Sequence, residues 1–263
     1  MNEVILYVLA GAGVGFAIGL TGVGGGSLMT PLLLLFGFPP PVAIGTDLLY
    51  AALTKAGGAL SHHRRRNVDW RIVALLATGS LPVSVLLHFV LANTGFQDHE
   101  GFGKLLTTSL GFMLIITSII LILRDKLRLK AATHKSGRVI RLIRSHPAAS
   151  TLLMGILLGV CVTLSSVGAG AFGAAVLLII YAESPAVRII ATDVAHAVPL
   201  TLVAGLGYLI SGYVDGFLLA SLLAGSLPAI HLGTHVSSNV PERVLQRILV
   251  GLLLLLGVNY AFF

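Results

Sequence analysis

Charge is scarce in this chain. Only 10% of its 263 residues are Asp, Glu, Lys or Arg, where a soluble domain carries about 25%. A water-facing surface cannot be built from so few ions, so a soluble enzyme or binding domain is excluded. What remains is an integral membrane protein of one membrane domain. Cysteine is nearly absent, and the single Cys161 allows no intrachain disulfide. Nucleotide signatures are missing too. No Gly-Lys-Ser/Thr follows the glycines at 22–26, so a phosphate loop lacks its lysine, and Ser27 stands where a dinucleotide fingerprint needs its last glycine. His231 and His235 are spaced i, i+4, but without the glutamate of an HExxH arrangement. With no nucleophile–base pair and no metal constellation, no catalytic residue, metal or cofactor is expected. Any work must then draw on gradients or on a separate partner.

What the chain has in abundance is apolar length. It is 56% hydrophobic with a mean hydropathy of +0.97, and apolar runs fall at roughly 4–36, 40–61, 70–93, 104–123, 149–181, 186–210, 214–236 and 243–263. About 20 such residues span a bilayer. The first run has no cationic start and is too long for a signal peptide. Basic residues gather in two places: Arg64, Arg65, Arg66 and Arg71, and then Arg124, Lys126, Arg128, Lys130, Lys135, Arg138, Arg141 and Arg144. No aromatic residues interleave them for base stacking, so nucleic acid is not an expected partner. The positive-inside rule accounts for both clusters and makes them cytoplasmic, with the acidic loop Gly95 to Gly101 on the other side.

The chain also repeats itself. "GTDLLYA" (45–51) returns as "ATDVAHA" (191–197), "VDW" (68–70) as "VDG" (214–216), and "GSLP" (79–82) unchanged at 225–228, all offset by 146 positions. "LTGVGGGS" (20–27) faces "LSSVGAGA" (164–171), two positions out of step. The expected division is a first membrane repeat over 1–123, a basic cytoplasmic linker over 124–147 and a second membrane repeat over 148–263. The first run, 4–36, would reach about 50 Å as one straight helix, against a hydrocarbon core of about 30 Å. The glycines in its middle suggest two short helices joined by a turn, a re-entrant hairpin, and run five is its equal. Each half then has a broken first segment and three spanning helices. If runs one and five each cross once, the halves have four spans and are parallel; if they return to their own side, the halves have three spans and are inverted. The positive-inside rule favours inversion, because it puts Arg188, Arg243 and Arg247 with the other basic residues. The expected fold is an all-α, polytopic helical bundle.

Non-helical backbone inside a membrane must line a wet cavity or be buried in protein. A helix that starts at such a break aims free N–H groups and the positive end of its dipole into the cavity, which suits an anion. The backbone at Gly22, Gly24, Gly25 and Gly26, and at Gly168 and Gly170, is therefore the candidate substrate site, with hydroxyls from Thr21, Ser27, Ser165 and Ser166. Paired breaks in two repeats mark transporter sites. Gly11, Gly15 and Gly19 have instead the spacing of helix-packing glycines. Asp47 and Asp193 match across the repeat; they either cap their helices or serve coupling. Tyr50 and His196 match in the same way and are candidates for gating or coupling, His196 as a group that titrates near neutral pH. Lys55 either supplies a cation for the anion or snorkels toward the basic loop. Cys161 reads as a buried structural thiol.

In order and repetition, the glycine-rich first span ending in proline, "GTDLL", the basic loop, "VDW" and "GSLP" resemble the sulfite exporter TauE/SafE family over nearly the whole chain. The resemblance implies movement of small sulfur-containing anions, sulfite or organosulfonates, across the cell inner (cytoplasmic) membrane, with export the expected direction and proton coupling left open. "SSVGAG" in place of "TGVGGG" departs from the family's glycine pattern in half two. Expected partners are the lipid bilayer and a small anionic substrate, with a homodimer as the candidate assembly. A passive anion channel and a transporter of another small anion, such as a carboxylate, are the alternative readings.

Overall fold

Eleven helices follow one another along the residues described by the computed structural model, which are 2–21, 26–95, 100–132, 138–236 and 242–262; no strand occurs among them. The first apolar run forms α1 (Asn2–Thr21) and α2 (Gly26–Leu35), followed by α3 (Pro40–Arg64), α4 (Trp70–Asn93) and α5 (Glu100–Ala132). The linker contains the short α6 (Arg138–Ser145). The second half runs through α7 (Pro147–Ser165), α8 (Ala171–Ile180), α9 (Ala186–Ile210), α10 (Gly216–Val236) and α11 (Glu242–Phe262). Six of these helices, α1, α4, α5, α7, α9 and α10, are long and apolar enough to cross a membrane. Large apolar side chains such as Phe89, Leu153 and Ile210 are exposed on the outside, as lipid contact requires.

Local chemistry sets the boundaries. Prolines 40 and 41 open α3 with their φ already helical. The aspartates of "VDW" and "VDG" are N-caps. Asp69 accepts from the N–H groups of Arg71 and Ile72 at 3.1 and 3.4 Å. Asp215 accepts from those of Phe217 and Leu218 at 2.9 and 3.0 Å. Each satisfies donors that a helix start leaves without partners.

Both long runs break and turn back. α1 stops at Thr21 and α2 starts at Gly26; α7 stops at Ser165 and α8 starts at Ala171. The ring of Tyr7, early in α1, lies 5.8 Å from that of Phe38, just after α2. In the second half the Thr151 hydroxyl, in the first turn of α7, meets the Tyr181 hydroxyl, just after α8, at 2.9 Å. Each hairpin thus joins an arm long enough to cross the membrane to one of 10 residues, about 15 Å long. The short arms begin well inside the protein. At the basic end, Arg188 pairs with Asp69 at 3.0 Å, and the Asp69 N–H donates to the Thr192 hydroxyl at 2.9 Å. The start of α9 therefore lies beside the start of α4, on the side of Arg64 to Arg71.

α1 packs along α10, α7 along α4, α3 along α9, and α5 along α11. Glycines let the first two pairs approach closely. A Cβ on Gly15 would come within 2.6 Å of the Ser226 carbonyl oxygen, and one on Gly79 within 2.5 Å of that of Leu152. Gly11 and Gly19 likewise abut the backbone of α10 at Leu222 and Ile230. All three glycines of the first stripe are packing glycines, as their spacing suggests. Gly13, between them, has open space beside it.

Candidate substrate site at the helix breaks

Asp47 lies two turns inside α3, and Asp193 two turns inside α9. The cap positions of those helices belong to Pro39 and Pro185, so neither aspartate caps its own helix. Both are buried, and each faces the early part of a short arm. Asp47 Oδ2 accepts the Thr30 N–H at 3.2 Å and the Thr30 hydroxyl at 2.5 Å, both from α2. Asp193 lies against the first turn of α8 at Gly173, where a Cβ would overlap Oδ1. Among the described residues, Asp47 Oδ1 and both oxygens of Asp193 make no well-formed hydrogen bond, although Ser166 acts on Asp47 and the Gly170 backbone on Asp193. The positive ends of the two short helices thus already face carboxylates.

Lys55 lies two turns beyond Asp47 on α3 and is also buried. Its ammonium does not snorkel outward. It donates at 3.1 Å to the carbonyl of Ala169, in the break between α7 and α8. From there it acts electrostatically on both Asp47 and Asp193, without a direct ion pair to either among the described residues. Ser166 completes the group. Its side chain acts on Asp47, and among the described residues its hydroxyl makes no other well-formed hydrogen bond. The break of the second half and α2 of the first therefore converge on one aspartate.

The break is built by three positive-φ residues. Ser166 has φ +58°, Gly168 +127° and Gly170 +128°. The last two values suit only glycine. Ser165 stitches the turn: its hydroxyl donates to the Cys161 carbonyl at 2.6 Å and accepts the Val167 N–H at 3.2 Å. That hydroxyl is therefore engaged in structure, while the Ser166 side chain acts on Asp47. Gly168→Ala is expected to destabilise the protein by about 1–3 kcal/mol through backbone strain alone. Thermal unfolding without any anion should show the loss in full.

A second layer supports the first. The Tyr50 hydroxyl meets Ser226 Oγ at 2.5 Å, and His196 Nε2 meets Ser80 Oγ at 2.8 Å. Tyr50 and His196 are 146 positions apart, and so are Ser80 and Ser226. The two bonds are counterparts, each tying an inner helix to α10 or α4. All four side chains are buried, and His196 Nδ1 has no hydrogen-bond partner among the described residues. Sequence reasoning missed Ser80, Ser226 and Thr30 as site residues. The serines stand in the unchanged "GSLP" copies, a signal read only as evidence of repetition. Thr30 carried no signal, since its partner comes from another helix.

Of the expected site residues, the structure brings together Asp47, Lys55, Asp193, Ser166 and the Gly168–Gly170 break, with Tyr50 and His196 in the layer behind. Gly22, Gly24 and Gly25 lie outside the described residues. Thr21 closes α1, and Gly26 and Ser27 open α2; the side chains of this trio also lie outside the description.

Comparison with known proteins gives a consistent result. Residues 7–260 match the family described as Sulfite exporter TauE/SafE. The "Probable membrane transporter protein YjnA" of Bacillus subtilis is 35% identical over 218 residues, covering 82% of this chain and 84% of that one. The "Probable membrane transporter protein YdhB" of the same organism is 28% identical over 221 residues, 82% of each chain. The "Probable membrane transporter protein MJ0441" of Methanocaldococcus jannaschii is 26% identical over 219 residues, 81% of this chain and 74% of that one. No solved structure matches. With the helical bundle and its paired breaks, these matches make the chain a multi-pass membrane transporter, and it belongs to the sulfite exporter TauE/SafE family.

Proposed function

We propose that the protein is a secondary transporter for small sulfur-containing anions, sulfite or organosulfonates, in the cytoplasmic (inner) membrane. It takes up one proton with each monoanion. The observation that carries this reading is Lys55, a buried ammonium bonded to a helix break at 3.1 Å between two carboxylates it does not directly pair with. A buried cation at the positive ends of α2 and α8 is a binding group for an anion. The charge count supports the proton. Lys55, Asp47 and Asp193 together carry a formal charge of −1 when all are ionised. A monoanion alone would bring this to −2 in a buried site, where unpaired charge is expensive. One proton on a carboxylate restores the starting value. Net movement then follows the combined anion and proton gradients, and runs outward when the anion accumulates in the cytoplasm.

Two inverted halves form the scaffold of this reading. The matched Tyr50–Ser226 and His196–Ser80 bonds support it, as do the two returning hairpins. The packing supports it as well: α1 goes with α10 as α7 goes with α4. The Arg188–Asp69 pair puts Arg188 beside the basic loop, which the positive-inside rule makes cytoplasmic. Both termini are then external.

The test is flux in proteoliposomes with sulfite, sulfate, thiosulfate, methanesulfonate and carboxylates. Saturable counterflow is expected for sulfite and methanesulfonate, and a pH gradient should drive accumulation of the anion. Asp47→Asn or Asp193→Asn should retain counterflow while losing most of the gradient-driven accumulation. Flux that is linear in concentration and indifferent to the gradient would identify a channel. Folded aspartate variants with normal accumulation would remove the carboxylates from coupling.

A further inference from the structure

The short helices α2 and α8 are held in different ways. The far end of α8 is pinned from the linker, where Arg144 Nε donates to the Ile179 carbonyl at 2.9 Å, and by the Tyr181–Thr151 bond. Along its length α8 packs on α5 and α7 as well as on α9. The far end of α2 is closed by its own backbone, where the Gly37 N–H donates to Leu34 at 3.0 Å and the Phe38 N–H to Leu33 at 3.1 Å, and by the ring contact of Phe38 with Tyr7; among the described residues no side-chain hydrogen bond pins it. Toward α1 and α11 it is sparsely packed. A crevice of about 350 Å³ lies there, lined by Gly13 and Ala17 of α1, Leu28 and Leu32 of α2, and Leu252 and Leu256 of α11, among others.

Among the described residues, side-chain hydrogen bonds tie α2 to the rest of the protein at two places. The Tyr260 hydroxyl donates to the Pro31 carbonyl at a long 3.3 Å. The other tie is Thr30, which gives Asp47 both its N–H and its hydroxyl. In the register of the glycine segments the counterpart of Thr30 is Ala174, which has no hydroxyl, and among the described residues no side-chain donor reaches Asp193, which has only the Gly170 backbone acting on it. The two carboxylates are therefore not equivalent, although the repeat duplicates them.

We infer that Thr30 is a positioning residue that ties the charge on Asp47 to the seating of α2. The inference rests on the transport reading above. An ionised carboxylate accepts both Thr30 donors, and hydrogen bonds to a charged acceptor are about twice as strong as neutral ones. A proton on Asp47 weakens that grip, and α2 has on its α1–α11 side the crevice of about 350 Å³ toward which it can shift. The other groups facing Asp47 are Ser166 at the break and Lys55 and Tyr50 on its own helix, with Asp193 acting from α9 through Lys55. None of these belongs to α2, so among the described residues Thr30 alone connects the carboxylate to that helix.

Thr30→Val keeps the branched shape and removes the hydroxyl; Thr30→Ser keeps the hydroxyl. Both are to be compared with the wild-type protein in sulfite counterflow across pH, beside thermal unfolding. Because the hydroxyl favours the ionised carboxylate, its loss makes the proton bind more readily. The pH midpoint of counterflow in Thr30→Val should move upward by about one unit, a tenfold change in proton affinity, while Thr30→Ser stays at the wild-type midpoint. A purely structural threonine would lower the unfolding temperature and leave the midpoint unmoved. That result in folded protein, or an equal shift in Thr30→Ser, overturns the inference, as does a wild-type flux that ignores pH between about 5 and 9. Wild-type protein that moves no sulfite overturns the transport reading itself, and this inference with it.

Discussion

Lys55→Met is expected to weaken sulfite binding about ten- to a hundredfold, the loss that follows from removing a charged hydrogen-bond donor. Stability should fall by about 3–5 kcal/mol, because breaking a buried charge set strands its remaining members. Methionine matches the length of the lysine stem without its charge, so packing is nearly preserved. The stranded members are Asp47 and Asp193, both buried. A second substitution separates the two effects. Lys55→Met with Asp193→Asn removes one stranded charge and should recover much of the stability, while sulfite binding stays lost. Thermal unfolding and counterflow on the three proteins read both quantities. If the double variant regains binding as well as stability, the lysine acts only as a counter-ion to the carboxylate.

The second large effect lies in the packing of the two glycine-lined helix pairs. Gly225→Ala would drive a Cβ into the Val8 carbonyl of α1, and Gly79→Ala one toward the Leu152 carbonyl of α7. Backbone atoms cannot rotate away, so the helices must separate. Each variant is expected to lose about 1–3 kcal/mol, as overpacked cores do. Gly13→Ala sits one position along from this interface, with nothing near its Cβ. It should gain up to about 1 kcal/mol from helix propensity. Gly11 offers no such neutral comparison, since it abuts Leu222. Unfolding temperatures of these variants in one detergent check the signs. A Gly225→Ala protein as stable as Gly13→Ala would mean that α1 and α10 do not touch as described.

Much of this architecture is legible in the sequence because membranes impose simple rules. Scarce charge and long apolar runs identify the solvent, and a run too long for the bilayer must tilt or break. The glycines at 22–26 and 168–170 mark where the breaks fall. The offset of 146 pairs Asp47 with Asp193 and Tyr50 with His196 before any coordinates are known. What the sequence leaves open is decided by contacts between distant segments. The aspartates of "TD" and "VD" look alike on paper. Only the structure separates Asp69 and Asp215, which cap helices, from Asp47 and Asp193, which lie two turns inside them. Nothing local distinguishes a snorkelling Lys55 from one bonded to Ala169, 114 residues away. Gly173 carries no motif, and its role appears only where the Asp193 carboxylate rests against it. Thr30 is hidden for the same reason. The inequality of α2 and α8 is invisible to an argument from repetition, which treats the halves as equal.

The central claim is that an anion binds at the helix breaks beside Lys55. Ligand-induced stabilisation tests it most directly, because it needs neither a gradient nor a known direction of transport. A ligand at 100 times its dissociation constant stabilises a folded protein by about 2.7 kcal/mol. Sulfite at about 100 times the wild-type dissociation constant should therefore raise the unfolding temperature of the purified wild-type protein, and should raise that of Lys55→Met, with or without Asp193→Asn, by about half as much or less. An equal rise in all three proteins, or no rise in the wild type, would contradict the assignment of this site.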